Sequence, residues 1–227
     1  MTRTIALRPF VGAFLALSTN LALADDAAAP SAPASAIAPS AAGLIPADVP
    51  PPVVALADNP DFGALREAYG RRVDFDARCS TGRPAKAWSE AQQAKNFALA
   101  YDIAEKWLET CPVSERMHML ATASATGLND AAKIELHKRW YFGLLQSVMA
   151  SGDGKTPATA WKTISVPEEY VVLMAMQLKP EKQWLLSSPM VDGIAARPVN
   201  GGDPVNLYFN PEWHFIRLQH SMSAPKP

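Results

Sequence analysis

The chain has 227 residues, of which 48% are hydrophobic and 19% charged, with a formal net charge of -1. That length suits one domain with or without a tail, and the near-zero charge excludes a nucleic-acid binder of the usual basic kind. An aromatic content of 8%, including six Trp, excludes global disorder.

Residues 1–24 read MTRTIALRPFVGAFLALSTNLALA. Arg3 and Arg8 precede an apolar run, and Ala22-Leu23-Ala24 places small residues ahead of Asp25. This predicts a secretory signal peptide cut between Ala24 and Asp25, and so a periplasmic or secreted product. The run is interrupted at Ser18-Thr19-Asn20 and falls short of the roughly 20 apolar residues that span a bilayer. No membrane span is expected after signal removal. No cysteine occurs before Cys79, which excludes a lipid anchor at the cleavage site.

Residues 25–58 are rich in Ala, Pro and Ser and hold no aromatic side chain. Prolines at 30, 33, 39, 46 and 50–52 oppose a helix or central strand, so a disordered, extended linker is expected. A single globular domain is expected over 59–222, with a short tail over 223–227.

Asn59-Pro60-Asp61 reads as a helix start, followed by Phe62, Leu65 and Tyr69 at helical spacing. A second helix is expected from Ser89, with Gln92 completing a capping box. Its stripe is Ala94, Phe97, Ala98, Tyr101, Ala104, Trp107 and Leu108, and Pro112 stops it. A third follows Ser114 and ends at Gly127; a fourth, capped by Asn129, runs to about Ala150. Short links favour antiparallel packing. The small residues at Ala100 and Ala104 are at most weakly tetratricopeptide-like, because no 34-residue repeat recurs.

Thr156-Pro157 opens a short helix, and Ser165 with Glu168 forms another capping-box pattern. β-prone runs then cover 183–187, 193–199, 205–209 and 213–218, separated by Ser-Pro, Gly-Gly-Asp-Pro and Asn-Pro turn signals. The expected fold is α+β: an N-terminal antiparallel helical stack followed by a small antiparallel β meander.

The run GLLQSVMASGDGKTPATAWKTISVPEEYVVL at 143–173, followed by LYFN at 207–210, resembles a bacterial exported family known only as a domain of unknown function (domain of unknown function 4919). Asp61-Phe62, Leu65-Arg66, Tyr69, His118 and His137 extend the resemblance over roughly 60–218. Ser188-Pro189-Met190-Val191-Asp192 stands where that family tends to show Gly-His-x-Tyr-Asp. The resemblance implies the fold and the exported address, and no activity.

Several patterns invite a chemical reading. Ser151-Gly152-Asp153-Gly154-Lys155-Thr156 looks like the end of a phosphate loop, but position 149 is Met where a glycine is required. It reads as a helix stop in which the glycines permit positive φ, and Ser151, Gly152, Asp153, Gly154 and Lys155 form a candidate partner-binding loop. One Asp is too few for a calcium loop. Glu168 and Glu169 point about 100° apart on a helix, so a first-turn role against the helix dipole is expected rather than paired acid–base work. The four histidines, His118, His137, His214 and His220, form no zinc spacing. His118 and His137 lie on consecutive antiparallel helices where they can face each other. No cofactor or metal is expected.

Two cysteines in an exported chain suggest a disulfide between Cys79 and Cys111. A loop from Cys79 to Trp88 running back along a helix from Ser89 to Thr110 can close it. The expected function is a non-catalytic binding protein whose partner is another envelope or secreted protein, with no nucleic acid involved. An immunity or inhibitor protein for an exported toxin is one version. The alternative is a small periplasmic hydrolase using His118 or His137 with Asp153 or a nearby carboxylate.

Overall fold

The computed structural model describes residues 43–223. The signal peptide, its Ala24–Asp25 junction and the spacer up to residue 42 lie outside the described residues. In chain order the helices α1 (Phe62–Gly70), α2 (Phe75–Cys79), α3 (Gly82–Gln93), α4 (Phe97–Leu108), α5 (Glu115–Gly127) and α6 (Ala131–Met149) come first. A 3-10 turn (Pro157–Thr159), β1 (Trp161–Lys162), α7 (Val166–Ala175), β2 (Leu178–Ser187), β3 (Met190–Pro198), β4 (Val205–Asn210) and α8 (Glu212–Ser223) complete the chain. The α+β expectation holds. Among the described residues, no helix is long and apolar enough to cross a membrane.

The helix starts follow short polar side chains. Asp61, Asn96, Ser114 and Asp130 each accept a hydrogen bond from the backbone N–H three residues on, satisfying a donor the helix itself leaves unpaired. The α6 cap is therefore Asp130. Asn129, the expected cap, takes the left-handed turn ahead of it at φ 55°.

Three sequence expectations are corrected. The helix expected from Ser89 to Thr110 is two: α3 stops at Gln93, Lys95 turns left-handed at φ 56°, and Asn96 starts α4. The apolar spacing continues across this break even though Ala94 and Ala98 beside it are exposed, so periodicity alone conceals the turn. The run 213–218, expected as a strand, lies in α8, where Pro211 precedes the helix and Ile216 and Arg217 face inward. Third, residues 43–58 of the expected linker are laid against the helices, as detailed below.

The α3–α4 hairpin also changes how the cysteines meet. Because the chain returns on itself between them, Cys79 and Cys111 sit with Cα atoms 5.4 Å apart and are joined in a disulfide. No loop has to retrace a 32 Å helix.

The sheet has the order β1-β4-β3-β2. β2, β3 and β4 form the expected antiparallel meander, and β1 adds one parallel edge, with Trp161 opposite Phe209. α7 covers the inner face through Val172 and Leu173, which pack with Val148, Trp161, Ile194 and Phe209. A second core joins α1, α2 and α6 around Leu65, Tyr69, Phe75, Trp140 and the disulfide. A third fills the α3–α4–α5 stack around Ala104, Leu108, Met117 and Ala121. Gly143 on α6 lies under the Phe62 ring, where a Cβ would overlap it, so a small residue sets the α1–α6 approach.

Candidate functional site

Helices α4, α5 and α6 bring one chain of polar groups into their interface. Tyr101 and Glu105 lie one turn apart on α4, His118 projects from α5, and His137 from α6. Both histidines are fully buried. His118 Nε2 lies 2.8 Å from the Pro112 carbonyl oxygen and donates to it, which leaves Nδ1 of the neutral ring as an acceptor. That atom is 3.1 Å from His137 Nδ1, so the proton between the rings belongs to His137. His118 also stacks on Trp140, with ring centroids 5.2 Å apart and planes at 20°. Burial pushes its pKa down to about 3, against the pull of the Pro112 carbonyl.

The other edge of His137 faces α4. Its Nε2 lies 2.9 Å from the Tyr101 hydroxyl and 3.2 Å from Glu105 Oε1. Glu105 is held below the usual carboxylate range chiefly by the His137 ring beside it, against the cost of burial. The Tyr101 hydroxyl is pushed up by burial and then by the Glu105 charge. Glu105 is 38% exposed and forms part of a cleft of about 260 Å³, with Leu108, Tyr69 and Pro51–Leu56 as other walls.

A second polar group lies where α1, α5 and α7 meet the sheet. Arg66 donates to both oxygens of Glu168 at 2.7 Å, to the Lys162 carbonyl at 3.0 Å and to Ser147 Oγ at 3.2 Å. Glu168 also accepts from the Ile164 N–H at 2.7 Å. Despite burial, Arg66 keeps its carboxyl below the ordinary range. Glu115, wholly buried beside Glu168, is pushed well above it, first by desolvation and then by the Glu168 charge. Glu169 points to the other side of α7. It is fully buried and meets Asp192 of β3, and both carboxyls are raised, first by desolvation. Neither Glu169 oxygen has a hydrogen-bond partner, so burial beside a second acid favours its neutral form.

The third feature is the strap formed by residues 43–58. Ile45 pairs with the backbone around Arg72, donating to the Arg71 carbonyl at 2.8 Å and accepting from Val73 N–H at 3.0 Å. Arg71 Nε donates to Gly43 O at 2.6 Å. Arg72, itself completely buried, donates to Val49 O at 2.8 Å and Ala47 O at 3.4 Å while Asp74 holds its other edge. Tyr69 donates to Pro52 O at 3.3 Å, and Trp140 Nε1 to Leu56 O at 2.7 Å. Arg139 reaches the carbonyls of Leu56, Ala57 and Asp58. Val54 and Leu56 supply the apolar anchors.

The family described as a domain of unknown function (DUF4919) matches residues 80–213. The chain belongs to that family. No curated protein and no solved structure matches the chain. The stretch matching the family holds Glu105, Glu115, both buried histidines, Glu168, Glu169 and Asp192; the strap, Arg66, Arg72 and Cys79 precede it.

Against this geometry the residues singled out from the sequence separate. His118 and His137 do face each other. Asp153 does not join them: the twelve residues from His137 to the end of α6 rise about 18 Å, and Asp153 lies beyond that end, 52% exposed and hydrogen-bonded to Thr159. The nearby carboxylate is Glu105. In the candidate loop, Ser151, Gly152 and Gly154 are occupied in the fold. Ser151 Oγ accepts from Lys162 N–H, Gly152 O from the Trp161 indole, and Gly154 O from Tyr208 N–H. Gly154 sits at φ 65° against the Trp161 ring. Only Asp153 and Lys155 present side chains outward. Glu168 and Glu169 are buried rather than dipole-facing surface groups, and Glu168 reaches Ile164 N–H instead of the Ser165 N-cap.

Sequence reasoning missed Glu105, Arg66, Glu115, Asp192 and Arg72. Two signals were present: an Arg inside the apolar stripe of α1, and apolar residues at 45, 49, 54 and 56 spaced among the prolines.

Proposed function

We propose that the protein is an exported, non-catalytic binding protein whose helical stack holds extended chain on its surface. One observation carries this: the strap is gripped through its backbone carbonyls by Tyr69, Arg71, Arg72, Arg139 and Trp140, while its outer side faces solvent. Export is supported by the signal pattern before Asp25 and by a disulfide, which persists in oxidising compartments. The partner is another envelope or secreted protein.

Two measurements test this reading in cells making the full chain. Mass spectrometry of the envelope and medium fractions should find a product beginning at Asp25. A photo-crosslinking residue at Val53, 97% exposed on the strap, should capture one discrete partner, whereas the same residue at Val199, 68% exposed beyond β3, should not. Cytoplasmic retention, or no discrete product at Val53, would refute it.

A second reading, a small hydrolase, is favoured by the Glu105–His137 contact at the cleft wall. There Glu105, which lines the cleft, would act as the general base and the buried His137 would orient it. Turnover of an ester or amide substrate that is lost in Glu105→Gln would establish it over the binding reading.

A further inference from the structure

We infer that the strap groove is a site for an extended, proline-rich segment of a partner, which enters in exchange for the chain's own Ala47–Asp58; this rests on the binding reading and names its partner chemistry. The groove's side chains supply donors. Those of Tyr69, Arg72, Arg139 and Trp140 address carbonyls at 47, 49, 52 and 56–58. Among the described residues, no strap side chain makes a polar contact with the helices beneath it. A surface that offers donors to one edge of an extended backbone suits a segment whose own N–H groups are few. Proline has none, and its polyproline geometry is already extended before binding.

The clamp is built independently of strap side chains. Arg72 is held by both oxygens of Asp74 at 2.8 and 3.1 Å, and Asp74 is shared with Arg78, so the guanidinium stays aimed along the groove. The apolar requirement is two residues at alternate positions, filled here by Val54 and Leu56. Much of the strap is open to solvent. Val49, Pro50, Pro52 and Val53 are exposed, and the cleft already separates 51–56 from Glu105, Leu108 and Glu109 on α4. Short tethering gives the cis segment an effective concentration on the order of millimolar, so an incoming segment competes with it and binds weakly until the strap loosens.

The test uses the oxidised mature chain and a fluorescent synthetic peptide of residues 45–58, followed by anisotropy. In Val54→Asp/Leu56→Asp, which alters the strap and leaves the groove intact, the peptide should bind at least tenfold tighter than to the unaltered protein. Adding Arg139→Ala, or replacing the three prolines at 50–52 of the peptide by alanine, should remove most of that gain. Equal affinity for the altered and unaltered proteins, or indifference to the prolines, would overturn the inference. If the strap variant does not fold, native-state hydrogen exchange of the unaltered protein decides. Amides 53–56 should exchange at least a hundredfold faster than buried amides of α5 and α6, and a common protection for all of them overturns it. Crosslinking at Val53 without peptide exchange sinks only the groove chemistry; peptide exchange without a cellular partner sinks only the wider reading.

Discussion

Replacing both cysteines by alanine tests the hairpin that the structure substitutes for one long helix. The bridge joins residues 32 apart, and the ring it closes contains α3 and α4. The loop-entropy relation for a ring of that size gives about 3.7 kcal/mol at 25 °C. Cys111 is 1% exposed and packs with Val113, Phe75 and Leu65, so truncation adds roughly 1 kcal/mol of lost contact. With a urea dependence of about 2 kcal/mol per molar, Cys79→Ala/Cys111→Ala should lower the unfolding midpoint by about 2 M. Reducing the unaltered protein should reproduce the entropic share. A loss under 1 kcal/mol with unchanged slope would refute the reasoning, since it would mean that the ring restrains little in the unfolded chain.

Arg66→Met should destabilise by about 3–5 kcal/mol in urea denaturation, because it strands a buried Glu168 carboxylate. Adding Glu168→Leu should recover much of that, and no recovery would count against the ion pair as the cause. For Glu169 and Asp192 the folded-state values are raised, so their contribution is full below the unfolded carboxyl range and is lost as pH rises through the folded values. His118 and Glu168, both lowered, act in the opposite sense, losing their contribution as pH falls. Glu169→Gln, which removes the raised carboxyl at similar volume, should therefore gain on the unaltered protein as pH rises from 4.5 to 8.5, by at most about 1.4 kcal/mol per pH unit for one proton. A parallel pair of stability–pH curves would refute the raised Glu169 carboxyl. Gly154→Ala places a Cβ in the Trp161 ring at φ 65° and should cost roughly 2–4 kcal/mol by thermal unfolding; an unchanged Tm would show that the loop yields freely.

Membership of a family described only as a domain of unknown function turns attention to groups within its span. The histidine pair with Glu105, and the carboxyls meeting across α7, fall inside residues 80–213. They are buried polar groups whose pairing specifies how α4, α5, α6, α7 and β3 sit together. The strap and its clamp precede that span, so peptide holding as proposed here depends on the preceding α1 region of this chain.

Local chemistry was legible in the residues themselves. Ser114 announces a helix start, Gly127 and the Gly152–Gly154 turn announce stops, and the β-prone runs split by turn signals after Lys179 announce a meander, because caps, positive φ and turn chemistry act within a few residues; at α1 the cap is Asp61, two residues beyond the expected Asn59. The cysteine pair was legible as a pair, though the path between them was not. What tertiary structure decided were the questions that local pattern leaves degenerate. A period of 3.6 continues across the Lys95–Asn96 break, so only the left-handed Lys95 and the packing of α3 on α4 show two helices. Trp213–Leu218 has apolar residues compatible with either period, and its contact with α1 and α2 settles it as α8. Proline content reads as unstructured chain until Tyr69, Arg72 and Trp140 are seen donating to its carbonyls. Glu105 became the neighbour of His137 in place of Asp153, because such a contact depends on which helix faces cross, and sequence separation carries no information about that.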